Sequence, residues 1–192
     1  MNLSGKNIGF AMTGSFCTFA KVFEELESLQ KTGANLIPIM SQNARSIDTR
    51  FDKAQDFIER LESITGNKLI QTIAEAEPIG PKKLLDALIV APCTGNTLAK
   101  LANGITDTTV TMAAKSTIRN KRPVVLAVST NDGLGGSAKN IGMLLNMKQI
   151  YFVPFRQDDP VHKGNSLVAD MSKIEESVQM ALDGGQLQPI LL

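Results

Sequence analysis

Short runs of apolar residues alternate along the chain with longer stretches in which apolar residues recur at helical spacing. The short runs predict β-strands at Asn7–Met12, Asn35–Met40, Ala87–Ala91, Pro123–Val128 and Ile150–Pro154. The longer stretches predict helices over residues 18–32, 52–64, 97–102, 109–118, 137–147 and 167–182, with loops at 65–83 and 156–164. Because strands and helices alternate, the sequence predicts an α/β fold with a doubly wound parallel sheet. No repeat or linker interrupts the pattern, which indicates a single domain over residues 1–192.

Small hydrogen-bonding residues follow four of the predicted strands. They form the turns Thr13-Gly14-Ser15, Ser41-Gln42-Asn43, Thr94-Gly95-Asn96-Thr97 and Ser129-Thr130-Asn131. Ligands of open α/β sheets bind outside the carboxyl ends of the strands, so we expect these turns to converge on one site. Hydroxyl groups beside the N–H groups of a helix N-terminus suit a phosphate, and Ser15 and Ser41 are the natural candidates to bind it. Such residues also serve simply as helix N-caps, and for each one taken alone both interpretations stay open.

The composition narrows the possible function classes. The chain has 192 residues, a formal net charge of +1, one His and two Cys. A charge so close to neutral gives no field to hold nucleic acid or an acidic membrane surface. His162, Cys17 and Cys93 cannot supply the usual four ligands of zinc, so no metal site is predicted. No apolar run approaches the roughly 20 residues of a membrane span, and two isolated cysteines suit a reducing compartment, so we expect a cytoplasmic protein.

The spacing of the glycines argues against two common nucleotide sites. Gly9 and Gly14 do not fit the G-x-G-x-x-G dinucleotide fingerprint, and no segment fits G-x-x-x-x-G-K-[ST]. A dinucleotide-binding dehydrogenase is therefore not expected. A phosphate site that lacks both motifs leaves room for a mononucleotide such as FMN.

Three segments resemble the homo-oligomeric flavin-containing Cys decarboxylase superfamily. They are residues 13–17 (TGSFC), 91–97 (APCTGNT) and 99–107 (AKLANGITD), with Ser41 at a further strand end. The resemblance implies a Rossmann-like three-layer sandwich, an FMN cofactor and a homo-oligomer. Carried over by position, it implies cofactor-binding roles for Gly14, Ser15, Phe16, Ser41, Thr94, Gly95, Asn96, Thr97 and Asn131.

The resemblance also divides these roles among the turns. Gly14, Ser15 and Phe16 would contact the flavin phosphate and ring, and Ser41 would bind phosphate or ribityl oxygens. The turn at residues 94–97 would line the edge of the isoalloxazine.

The chain departs from the superfamily where decarboxylation is carried out. The decarboxylases have an active-site His about thirteen residues before the position of Ala91, and Pro78 stands there in this chain. The substrate clamp M-N-x-x-M-W has no counterpart, since the chain contains no Trp. We therefore expect the cofactor site to be present without the usual decarboxylase chemistry, and no catalytic residue is assigned.

Further segments resemble one branch of this superfamily, a small subunit that takes part in the oxidation of 2,3-dihydrodipicolinate to dipicolinate in the mother cell of sporulating bacteria. They are residues 92–97, 77–81 and 157–166. The resemblance implies a small dicarboxylate substrate and a second, larger subunit that supplies NAD(P). Two alternatives remain open: a flavin-dependent decarboxylase of a cysteine-derived or aromatic acid, and a non-catalytic subunit that binds flavin or phosphate.

Several single residues keep open interpretations. His162 is expected in a solvent-exposed loop, and Cys17 and Cys93 are expected to pack in the core. A dicarboxylate substrate needs cations, but the sequence does not rank the candidates, which are Arg45, Lys115, Arg119, Lys121, Arg122, Arg156 and Lys163.

Overall fold

The computed structural model describes residues 3–192, which form a seven-stranded sheet with helices on both faces. The strands are β1 (Asn7–Met12), β2 (Asn35–Met40), β3 (Ala87–Cys93), β4 (Val124–Thr130), β5 (Ile150–Phe152), β6 (Phe155–Asp159) and β7 (Lys163–Ala169). The α-helices are α1 (Phe19–Lys31), α2 (Gln42–Ser46), α3 (Ala54–Thr65), α4 (Ile73–Ala76), α5 (Gly95–Ala102), α6 (Thr109–Arg119), α7 (Ala138–Leu145) and α8 (Ile174–Leu182). Short 3-10 helices cover Phe16–Thr18, Glu77–Ile79 and Met171–Lys173. Within residues 3–192, no helix combines the length and the apolar character that crossing a membrane requires.

The first five strands run parallel, and β1 lies at their topological switch point. The sheet order is β2-β1-β3-β4-β7-β6, and β5 pairs with the first half of β4. The chain leaves β1 toward β2 and then crosses to β3 on the other side of β1. The connection that leaves β1 and the connection that leaves β3 therefore go to opposite sides of the sheet. In folds of this kind, a ligand-binding crevice opens between two such strands.

Two layers of helices cover the sheet. Helices α1, α3 and α8 pack together on one face, and α4, α5, α6 and α7 pack together on the other. Every residue of β3 is buried, as expected for a central strand of a parallel sheet covered on both faces. The predicted α/β fold is confirmed, and the predicted strands and most predicted helices form within a few residues of their expected bounds.

The segment after β5 is where the sequence-based prediction is wrong. Local spacing predicts a loop over residues 156–164 and a helix over 167–182, but β6 and β7 form an antiparallel hairpin and α8 begins only at Ile174. Leu167, Val168 and Met171 fit a helical spacing as well as a strand. The strand forms because β7 pairs antiparallel with the last residues of β4, a long-range contact that local spacing does not reveal.

Residues 65–83 also contain more regular structure than predicted. The Thr72 hydroxyl accepts a hydrogen bond from the Glu75 N–H at 3.2 Å, and the Glu75 carboxylate accepts one from the Thr72 N–H at 3.0 Å. This reciprocal pair is a capping box, and it starts the short helix α4.

An ion pair spans the connection from α5 to α6. The Lys100 Nζ lies 2.7 Å from the Asp107 Oδ1. Between them the chain turns through Gly104, whose φ of 68° is readily adopted only by glycine. The segment AKLANGITD therefore has a structural role, because it fixes how the chain leaves α5.

A buried threonine joins the ends of β1 and β3. The Thr13 hydroxyl donates to the Pro92 carbonyl at 2.7 Å and accepts from the Thr94 N–H at 3.0 Å. Thr13 is 1% exposed, so neither contact is replaced by solvent when the hydroxyl is removed. The two turns that follow these strands are thereby held side by side.

We expect Thr13→Val to lower the free energy of unfolding by about 1–3 kcal/mol, because it leaves the Thr94 N–H without its acceptor. Chemical denaturation measures this change. Thr117→Val is the matched control, since Thr117 is equally buried but its hydroxyl donates only to the Ala113 carbonyl, which keeps its helical partner. Equal losses in the two variants would contradict a specific role for Thr13.

Candidate functional site

A large cleft opens at the carboxyl ends of β1, β3 and β4. Its volume is about 1520 Å³, which exceeds the roughly 300–1,000 Å³ of typical small-molecule sites. Seven of the nine residues predicted to bind a cofactor line it, namely Gly14, Ser15, Phe16, Thr94, Gly95, Asn96 and Asn131. The cleft therefore brings together the turns that follow three different strands.

The other two predicted residues, Ser41 and Thr97, do not line the cleft in the described part of the chain. The Ser41 hydroxyl caps α2 by accepting from the Ala44 N–H at 3.3 Å, and the Ser41 N–H donates to the Met12 carbonyl at 3.0 Å. The Thr97 hydroxyl is buried 3.1 Å from that of Thr94. The Ser41 hydroxyl thus caps a helix and the Thr97 hydroxyl contacts the capping residue of α5, and a cofactor role for either stays a prediction.

Two serine hydroxyls join the turn after β1 to the end of β4. The Oγ atoms of Ser15 and Ser129 lie 2.7 Å apart. A 3-10 helix starts directly after Ser15 and continues into α1, so its first N–H groups have no acceptor within the helix. Hydroxyls beside such N–H groups form a set of donors that suits phosphate oxygens.

An aromatic cluster fixes the position of Phe16 at the wall of the cleft. The Phe16 ring centroid lies 5.2 Å from that of Phe19 and 6.5 Å from that of Phe57. These distances are within the range of favourable ring contacts. The cleft therefore has one apolar wall next to the polar turn at Ser15.

The start of α5 packs closely against the turn after β4. A Cβ placed on Gly95 would lie 2.8 Å from the Ser137 and Thr130 hydroxyl oxygens and 3.0 Å from the Asp132 Oδ1. No side chain fits at this distance, so glycine allows the two turns to meet. Thr94 caps α5 by accepting from the Thr97 N–H at 3.4 Å.

Asp132 is a carboxylate of the cleft to which the sequence analysis assigned no role. The Thr130 hydroxyl donates to its Oδ1, and the Ser137 hydroxyl donates to the same atom at 2.8 Å. These two hydrogen bonds, of which the one from Thr130 has the larger effect, hold the pKa of Asp132 below its usual range. Asp132 is therefore ionised at neutral pH. Its position in the polar turn that follows a predicted strand is the signal in the sequence that could have found it.

The two cysteines have different environments. Cys93 lies in the core as predicted, and burial raises the pKa of its thiol, so the thiol stays protonated. Cys17 is exposed and lines the cleft, which corrects the expectation that it packs in the core.

The β6–β7 hairpin forms a charged wall of the cleft. Arg156, Asp158 and Lys163 line the cleft from this hairpin. His162 lies at the hairpin turn with its side chain 80% exposed and its Nδ1 3.0 Å from the Asp159 Oδ2. The exposed position predicted for His162 is therefore correct, although the loop around it is part of a hairpin.

The structure places the candidate cations in different parts of the molecule. Arg156 and Lys163 line the cleft, whereas Arg45 and Lys115 do not. Arg119, Lys121 and Arg122 border a separate hollow next to the start of β4, at the opposite edge of the sheet.

Comparison with known proteins agrees with the fold. A family model described as Flavoprotein matches residues 1–182. The B subunit of dipicolinate synthase from Bacillus subtilis (strain 168) is 48% identical over 191 residues, which cover 100% of this chain and 96% of that protein. The crystal structure of the same synthase's B subunit from Bacillus halodurans C has a TM-score of 0.92 and 44% identity, and the match covers 100% of this chain and 98% of that one.

More distant structures share the architecture. The FMN-dependent cysteine decarboxylase SpaF has a TM-score of 0.66 at 20% identity, with 93% of this chain and 98% of that one covered. At this identity the likeness concerns the fold. Together with the full-length similarity to the two Bacillus proteins, the family match leads to one conclusion: the chain belongs to the flavoprotein family.

Proposed function

We propose that the chain is the flavin-binding subunit of a dipicolinate synthase and takes part in oxidising 2,3-dihydrodipicolinate to dipicolinate during bacterial sporulation. The observation that carries this proposal is the full-length similarity to the B subunit of dipicolinate synthase. The cleft supports it, because three strand-end turns present hydroxyl, amide and backbone N–H groups to one cavity. This role would place the protein in the cytoplasm of the mother cell.

The residues of the cleft fit FMN. Ser15 and the free N–H groups of the following 3-10 helix would hold the phosphate, since both donate hydrogen bonds and lie at a helix N-terminus. Phe16 offers an apolar wall for the ring, and Asn96, at the start of α5, offers an amide donor and acceptor for the ring edge. Gly14 and Gly95 complete these two turns, and Asn131 faces them from the end of β4.

The chemistry of the reaction explains why this chain needs a second protein. Forming the aromatic ring removes a hydride and a proton from the dihydropyridine. Bound FMN would supply the hydride acceptor, and NAD(P) would be the final acceptor, bound by the second, larger subunit of dipicolinate synthase. The residues of this chain would bind and orient the ring system between the turns at Ser15 and Asn96.

The surface of α7 and its flanking residues supports assembly with other chains. Leu134, Met143, Leu145 and Met147 are large apolar residues that are 51%, 49%, 47% and 38% exposed in the single chain. Large apolar side chains left exposed are a feature of surfaces that contact other protein chains when they adjoin one another. We include a homo-oligomer in the proposal on this ground.

We expect the purified protein to carry FMN or to take it up. The visible absorption spectrum would then show the two bands of an oxidised flavin, and denaturation would release FMN that chromatography identifies. A colourless protein that fails to bind added FMN would contradict the proposed cofactor.

We expect Ser15→Ala to weaken FMN binding by about tenfold while leaving riboflavin binding unchanged, because only FMN carries the phosphate that the hydroxyl would contact. Fluorescence titration of the flavin-free protein measures both affinities. Ser129→Ala is the matched control, since it also breaks the hydrogen bond between Ser15 and Ser129 but keeps the Ser15 hydroxyl. An equal loss for riboflavin would point to a general disturbance of the turn.

We expect the larger subunit of the synthase, when tested without this chain, to oxidise dihydrodipicolinate poorly and to gain activity when this chain is added.

Asn96→Ala in this chain should lower the activity of the complex by about tenfold, because one amide contact to the ring system is lost. Steady-state assays of the reconstituted complex measure this. If the variant retains full activity and the complex still forms, the chain has a non-catalytic binding role.

A further inference from the structure

We propose that Arg156, on the β6–β7 hairpin, binds a carboxylate of the substrate in the cleft. This inference rests on the proposed function, since it concerns the dicarboxylate that the cleft would hold. Three lines of evidence lead to it: the position of Arg156 in the sheet, the lack of a competing partner, and the environments of the other cations.

The pairing of the strands places Arg156 on the same side of the sheet as the serine pair. Arg156 lies directly opposite Val168 on β7, and Val168 lies directly opposite Ser129 on β4. Residues directly opposite each other on antiparallel strands point to the same face of the sheet. Arg156, Val168 and Ser129 therefore form one row, and all three line the cleft.

The row has the length of a small ring with its substituents. Neighbouring strands are about 4.8 Å apart, so the backbone of Arg156 lies about 10 Å from that of Ser129. Ser129 is hydrogen-bonded to Ser15 at 2.7 Å, where the phosphate and ring of the flavin would begin. A pyridine dicarboxylate placed over Val168 would therefore have one end near the serine pair and a carboxylate within reach of the guanidinium.

Arg156 is also free to bind an anion. Among residues 3–192, no ion pair or side-chain hydrogen bond involves Arg156, and the residue is exposed. The carboxylate nearest along the strand on the same face, that of Asp158, is bound to the Lys163 Nζ at 2.9 Å.

The other cations of the cleft have less favourable environments. Lys163 is paired with Asp158. Lys21 lies one helical turn before Glu24 and Glu25, which line the cleft beside it. The Arg50 guanidinium lies over the Phe51 ring, 4.9 Å from its centroid.

A guanidinium suits the proposed ligand. Arginine presents two parallel N–H groups to a carboxylate, which fixes the orientation of the ligand as well as its affinity. The carboxylates of the substrate do not change during oxidation of the ring, so Arg156 would position the substrate rather than react. Its loss should therefore raise KM more than it lowers kcat.

The test uses the complex of this chain with the larger subunit of the synthase, loaded with FMN, and three variants of this chain. Arg156→Gln removes the charge, Arg156→Lys keeps it without the two parallel donors, and Arg119→Gln removes a charge at the opposite edge of the sheet as the matched control. Calorimetry measures dipicolinate binding, steady-state kinetics measures KM and kcat, and fluorescence titration measures FMN affinity.

We expect Arg156→Gln to weaken dipicolinate binding and to raise the KM for dihydrodipicolinate by about tenfold or more. Arg156→Lys should have an intermediate effect, and Arg119→Gln should leave both quantities unchanged. FMN affinity should stay the same in all three variants. Loss of FMN affinity in Arg156→Gln with unchanged dipicolinate binding would assign Arg156 to the flavin phosphate and overturn the inference. Dipicolinate binding that is unchanged from the wild type, or lost equally in Arg119→Gln, would also overturn it.

These outcomes are separable from failure of the proposed function. If the wild-type complex binds FMN and dipicolinate, and the Arg156→Gln variant binds each of them as tightly as the wild type does, only the role of Arg156 is wrong. If the wild-type chain binds no FMN and adds no activity to the larger subunit, the proposed function itself is wrong, and the role of Arg156 with it.

Discussion

The hydrogen bonds of the Thr13 hydroxyl are the contact on which the site depends. A parallel sheet fixes the direction of its strands, but it does not fix how the turns leaving them are arranged. The hydroxyl bonds to the Pro92 carbonyl and the Thr94 N–H across the switch point between β1 and β3. The Ser15–Ser129 contact then adds the end of β4. Three turns far apart in the sequence are thereby held around one cleft.

Close packing between turns defines the shape of this cleft as much as hydrogen bonding does. The backbone at Gly95 lies against the side chains of Thr130, Asp132 and Ser137, and any larger residue would push the start of α5 away from β4. The same cluster keeps Asp132 ionised, because two hydroxyls donate to one of its oxygens. This part of the site is therefore built from small polar residues whose hydroxyls are held by hydrogen bonds around a fixed carboxylate.

The parallel half of the molecule was predictable from sequence because its signals are local. Buried strands give continuous apolar runs, helices give their own spacing, and small polar residues mark the strand ends. Those signals indicated the turns at Ser15, Asn96 and Asn131 and the edge of the sheet where they meet. They did not separate a ligand-binding hydroxyl from one with a local structural contact: the Ser41 hydroxyl caps α2, and the Thr97 hydroxyl contacts that of Thr94.

The β6–β7 hairpin was not predictable in the same way, because it depends on a contact between distant parts of the chain. Residues 167–171 fit a helix on local spacing, and only pairing with Ser129 and Thr130 selects the strand. This pairing adds an antiparallel wall beside the switch point. The sequence could not rank the candidate cations for the same reason. Among those candidates, only Arg156 and Lys163 line the cleft, and both lie on this hairpin.

The charged residues of the cleft do not lie at the position where the decarboxylases have their active-site His. The position of their active-site His is occupied by Pro78, which lies in a 3-10 helix and does not line the cleft within the described residues. Charged groups face the cleft instead from the turn after β4 and from the hairpin. A site with hydroxyl donors at one end and a guanidinium at the other suits a ligand that carries anionic groups at both ends. The pairing of β7 with the end of β4 thus places the charged side chains of the hairpin beside the turns that follow the parallel strands, and both sets of residues line one cleft.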